Sequence, residues 1–104
     1  MKPPSKRQLQ GRPRQIRELV SVGPATLRDL DALGIATLED LARSDPEDLY
    51  RRLCALRGLP VDICCLDVFR CAVAQARDPG LPGHLRLWWS WSRLRKEGDL
   101  DGPA

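Results

Sequence analysis

A chain of 104 residues has room for one compact domain and not for two, and its 42% hydrophobic and 30% charged side chains are the balance of a globule with a core. The net charge of +3 hides an uneven spread, because residues 1 to 20 carry six basic groups against one acid while the remainder is balanced or mildly acidic. No apolar run approaches a bilayer span and MKPPSKRQLQGRPRQ lacks a signal-peptide core, so the expected address is cytoplasmic and the four cysteines are expected as reduced thiols.

Residues 1–13, with Pro3, Pro4, Gly11 and Pro13 among charges and no periodicity, read as a flexible basic arm. From residue 14 the pattern turns helical. Ile16, Leu19 and Val20 fall at i, i+3 and i+4, which predicts a short helix with one apolar face, stopping at Ser21-Val22-Gly23. Pro24 suits the first position of a second helix, where its missing N–H leaves nothing unpaired. Leu27, Leu30 and Leu33 then make its buried stripe, and Gly34 ends it as a left-handed cap with Ile35 folding back.

Thr37 with Asp40 three residues on predicts an N-cap and a variant capping box for a third, short helix carrying Leu38 and Leu41. Ser44-Asp45-Pro46-Glu47-Asp48 repeats the start signal, and Leu49, Leu53 and Leu56 carry a fourth helix to Gly58. A fifth begins near Pro60. Residues 61–77 are apolar on most sides, as a helix surrounded by the others should be. A turn cluster over residues 78–83, a tryptophan-rich segment and a polar tail at 96–104 follow. The expected fold class is all-α: a single compact helical domain of about five to six helices over residues 14–95, with Ile16, Leu19, Leu27, Leu30, Leu41, Leu53, Val68, Phe69 and Ala72 buried together.

Two short helices joined by Ser21-Val22-Gly23 form the pattern of a helix-hairpin-helix. Its turn offers backbone N–H groups at a helix N-terminus, where unpaired donors and the helix dipole attract phosphate without reading base sequence. Candidate nucleic-acid-binding residues are Ser21, Val22, Gly23, Ala25 and Thr26, with Arg12, Arg14, Arg17 and Arg28 supplying diffuse attraction. The motif usually reads Gly-hydrophobic-Gly with a lysine two places further on. Here Ser21 replaces the first glycine and Ala25 the lysine. The same hairpin also serves as pure scaffold, with Val22 buried and no ligand, and spacing alone does not choose between the two.

Three further stretches, Asp45 to Cys54, Cys64 to Val73 with its Phe69-Arg70-Cys71-Ala72-Val73, and Trp88-Trp89-Ser90-Trp91, resemble the pathogenicity-locus family of small bacterial helix-hairpin-helix proteins, some of which carry mitomycin-resistance labels. Val22-Gly23-Pro24 with Leu33-Gly34-Ile35 is more remotely similar to the C-terminal domain of TfoX-type competence regulators. The resemblance implies a helical domain and association with DNA.

The remaining chemistry-bearing residues suggest no enzyme and no cofactor. Cys64 and Cys71 on one helix stand about 10.5 Å apart along its axis, too far for a disulfide or for shared zinc ligation, so the thiols read as small hydrophobes. His84, the one histidine, sits in a turn and reads as a surface residue. Trp88 and Trp91 at i, i+3 are expected to pin the C-terminal segment to the core, while nearby Arg93, Arg95 and Lys96 suit an exposed base-stacking or partner surface instead. The functional expectation is a DNA-binding module. Its rival is a protein-interaction module using the acidic Asp45 to Asp48 turn or the tryptophans.

Overall fold

The computed structural model describes residues 15–98, and the arm at 1–13 with Arg12 and Arg14 lies outside them. Five α-helices follow one another: α1 (Pro24–Ala32), α2 (Leu38–Ala42), α3 (Pro46–Arg57), α4 (Cys64–Arg77) and α5 (Trp88–Glu97), with 3-10 turns at Ile16–Glu18 and Gly83–Arg86. The described residues contain no strand. No described helix is long and apolar enough to cross a membrane.

Local chemistry sets most of the boundaries. Gly34, at φ +83°, closes α1 in a Schellman arrangement, because Ile35 N–H donates to Leu30 O at 2.9 Å and Gly34 N–H to Asp31 O at 3.0 Å. Thr37 and Asp40 form the capping box of α2, with Asp40 N–H donating to Thr37 Oγ1 at 3.0 Å. Asp45 caps α3 through Glu47 N–H, and Gly58 at φ +70° ends it. α4 starts at Cys64 rather than near Pro60, since Asp62 accepts the Cys64 amide and serves as its first-turn cap. α5 runs to Glu97, two residues into the stretch expected as tail.

α4 is the central element and packs against α2, α3 and α5. Its Phe69, Ala72 and Val73 meet Ile16, Leu19, Leu30, Leu33, Leu41, Leu49 and Leu53 in one core. Leu27 packs at the edge of that core, where it also lines a surface groove, and Val68 is half-buried outside it. Polar side chains tie the helices together. Arg57 pairs with the buried Asp29 of α1, Arg52 Nη2 donates to Leu33 O at 2.7 Å, and Arg77 caps α2 through the carbonyls of Ala42 and Ser44, both at 2.8 Å. Asp67, with 0% of its surface exposed, receives Arg95 Nε at 2.8 Å and Nη2 at 2.9 Å and so bolts α5 to α4.

The first predicted helix takes a different form. Only Ile16–Glu18 turns, as a 3-10 helix, and the backbone at Leu19 is already extended. Val20, expected on the apolar face, is 43% exposed. Competition for its backbone is the reason: Val20 N–H donates to Gln75 Oε1 at 3.0 Å and Gln75 Nε2 donates to Val20 O at 2.8 Å. A second helical turn would have to give up both bonds.

Candidate nucleic-acid interface

The turn from Leu19 to Pro24 is held from two sides. Leu19 is buried and Val22 packs against the core, which anchors the turn by its apolar side chains. Gln75 of α4 clamps Val20 as described. Ser21 makes the third attachment: its hydroxyl donates to Arg86 O at 2.8 Å and accepts from Trp88 N–H at 3.1 Å. Ser21 also lies at φ +73°, the left-handed region that favours glycine. Its hydroxyl is therefore engaged inside the fold and its proton is directed at Arg86, not outward.

Beyond Ser21 the chain opens. Gly23 is extended at φ −101°, and its carbonyl accepts from Leu27 N–H at 3.0 Å to start α1. Among the described residues the N–H groups of Gly23, Ala25 and Thr26 have no hydrogen-bond partner, and Pro24 has none to offer. Ala25 is exposed and Thr26 half-buried. A Cβ placed on Gly23 meets nothing within 4 Å, so nothing inside the described fold demands glycine there. These amides lie at the positive end of the α1 dipole.

Arg17 and Arg28 are exposed, and among the described residues neither is ion-paired. Arg28 stands one helical turn above Pro24. Arg17 borders a groove of about 510 Å³ that also takes in Leu27, Asp31 and Ile35. The acidic turn is self-neutralised: Asp45 caps α3, Glu47 pairs with Arg70 at 2.9 Å, and Asp48 meets Arg51 at 3.2 Å and Arg52 at 3.8 Å.

Among the described residues no three His, Cys, Asp or Glu side chains converge as metal ligands would. All four cysteines are free. Burial pushes the Cys71 thiol up to about 11, against the opposing pull of its polar neighbours Ser21 and Gln75. Cys64 is raised by its bond with Asp62, and Cys65 by burial. His84 is exposed. Trp88 and Trp91 are half-buried, Trp91 donating from Nε1 to Leu85 O at 2.7 Å, and Trp89 is 56% exposed. Arg95 leaves the exposed set expected with Arg93 and Lys96, because Asp67 consumes its guanidinium. The Gln75 clamp was not foreseen, and an uncharged polar residue on the mostly apolar C-terminal half of α4 was its one signal.

A family model described as Cdd1, Pathogenicity locus, matches residues 10–97. The mitomycin resistance protein McrB of Streptomyces lavendulae is 40% identical over 78 residues, which cover 75% of this chain and 70% of that protein. No solved structure matches the chain. The matched span includes the Ser21–Gly23 turn, the central helix and the tryptophan-rich helix, and on it the chain belongs to the pathogenicity-locus family.

Proposed function

We propose that this protein is a non-catalytic, sequence-independent DNA-binding module of the cytoplasm, in which the hairpin turn seats a backbone phosphate. The observation that carries the reading is the open start of α1, with three partnerless amides at Gly23, Ala25 and Thr26 beside a glycine the fold itself does not need. A phosphate oxygen accepts from such amides and gains from the helix dipole, while the missing Cβ lets the sugar-phosphate chain come close. Exposed Arg17 and Arg28 add attraction that depends on charge alone, and the basic residues 1–14 extend it along the sequence. A contribution to stress tolerance is part of this reading, in keeping with a relative named for mitomycin resistance.

Fluorescence anisotropy of a labelled duplex, titrated with the full chain at several salt concentrations, is the test. Phosphate contacts release counterions, so log K falls linearly with log salt, with a slope of about −0.9 for each phosphate neutralised. Absence of binding at low salt, or affinity indifferent to salt, rejects the reading.

A protein-interaction module is the second reading. Its support is the run of exposed apolar side chains Leu56, Leu59 and Ile63 at the corner between α3 and α4.

A further inference from the structure

The exposed side of α5 carries a pattern that the hairpin reading leaves unused. Trp89, Arg93 and Lys96 are spaced i, i+4 and i+7, which places them on one stripe of the helix, and all three are exposed. Among the described residues neither cation has an ion-pair partner. The single acid of α5, Glu97, lies in its last turn, at the end remote from Trp89. An indole with more than half its surface in water forfeits hydrophobic stabilisation for no gain inside the fold.

Its orientation is nevertheless held. Trp88 and Trp89 meet in a T-shaped contact with ring centroids 6.2 Å apart and planes at 81°. Trp88 in turn is fixed through its amide to Ser21 of the hairpin turn. The path from Gly23 through Ser21 and this hydrogen bond to Trp89 bounds their Cα separation at about 18 Å, the reach of a few nucleotides of strand. The aromatic ring and the Ser21–Gly23 turn are thus linked through one hydrogen bond, with the unpaired cations one and two helical turns beyond the ring.

We propose that Trp89, with Arg93 and Lys96 following it on the same stripe of α5, is a stacking platform for an unpaired base, so that the preferred ligand is single-stranded DNA or a frayed duplex end rather than closed duplex. The inference rests on the DNA-binding reading and names its substrate class. Stacking needs a base face exposed to solvent, which a closed duplex withholds, while every unpaired base offers one whatever its identity. The two cations, one and two helical turns further along the same stripe, suit phosphates of the strand that runs on from the stacked base. An acidic protein partner would also satisfy the cations and cover the ring, and it is the competing outcome of the test.

The experiment compares the full chain with Trp89→Ala and Trp89→Phe, using labelled oligothymidylate of about fifteen nucleotides and a blunt duplex of equal length at low salt. Wild type should bind the single strand more tightly than the duplex, with quenching of tryptophan fluorescence. Trp89→Ala should lose roughly ten-fold on the single strand and less than about two-fold on the duplex, and Trp89→Phe should keep most of the affinity. Circular dichroism melts verify that the variants are folded, as expected for an exposed side chain. A folded Trp89→Ala that binds oligothymidylate like wild type overturns the platform, and salt-dependent duplex binding then leaves the hairpin reading standing. Wild type that binds neither probe overturns both. Loss of self-association in Trp89→Ala with DNA binding intact also overturns it, giving the ring to a protein contact.

Discussion

The hydroxyl of Ser21 accepts the amide hydrogen of Trp88 at 3.1 Å, joining the hairpin turn to the start of the last helix across 67 positions of sequence. With the bond from the same hydroxyl to Arg86 O, it makes one side chain responsible for how the turn and the tryptophan-rich helix sit together. The residue does this from a left-handed backbone conformation, so gain and strain reside at the same position.

Two substitutions separate these effects. Ser21→Ala removes both hydrogen bonds and keeps a Cβ at positive φ, and it is expected to destabilise the fold by about 1–3 kcal/mol. Ser21→Gly also loses the bonds but accepts the left-handed conformation freely, so its loss should be smaller by about 0.5–1 kcal/mol. Urea unfolding followed by circular dichroism checks the order. An alanine variant as stable as the glycine variant contradicts it.

The Asp67–Arg95 pair predicts an asymmetry. Asp67 is wholly buried whereas about a quarter of the Arg95 side chain is exposed. Arg95→Ala strands a carboxylate away from water and is expected to cost about 3–5 kcal/mol. Asp67→Ala leaves a guanidinium able to swing outward, and the cost should fall to about 1–3 kcal/mol. Equal losses in denaturant midpoints would show that packing, not charge, decides this contact.

For Cys71 the expectation concerns pH. Its thiol is held near 11 by burial, so at pH 8 it should be the last of the four to react with a soluble alkylating reagent, as followed by mass spectrometry of peptides. Linkage gives the sign for stability. The folded value lies above the ordinary one, so the unfolded chain releases this proton first and stability declines as pH rises between about 9 and 11. Cys71→Ala should lessen that decline. Fast labelling of Cys71 in native protein would refute the buried assignment.

What was legible in the sequence was whatever a few neighbouring residues decide. Thr37 with Asp40, Asp45 with Pro46, and the left-handed Gly34 and Gly58 act within one turn of themselves, and each fell at its expected boundary. Val20 escaped the helical pattern because Gln75, 55 positions away, takes its backbone bonds. Arg95 escaped for the same reason, since its partner lies 28 positions back on another helix. In the candidate site, the turn and the proline start could be placed from spacing. That Ser21 faces inward, and that Trp89 rather than Trp88 or Trp91 is the exposed ring, depended on tertiary contacts that no local signal encodes.

The last prediction returns to Gly23, where stability and binding should part company. Its backbone at φ −101° is open to any residue, and a Cβ there meets nothing within 4 Å. Gly23→Ala therefore asks nothing of the folded state and restricts the unfolded chain, which is expected to leave stability unchanged or raise it by about 0.4–1 kcal/mol. If the amides of Gly23, Ala25 and Thr26 receive a phosphate, the same methyl group stands between donors and ligand, and DNA affinity should fall several-fold, more so in Gly23→Val. Ala25→Lys works in the opposite direction. Its exposed position in the first turn of α1 lets an added ammonium reach the phosphate, so affinity should rise and the salt slope steepen by about one phosphate's worth. The two variants are measured side by side by thermal melting and by anisotropy on labelled DNA. A stable Gly23→Ala with wild-type affinity, together with an Ala25→Lys that gains nothing, would assign the turn to scaffolding and leave any DNA affinity to the basic residues elsewhere.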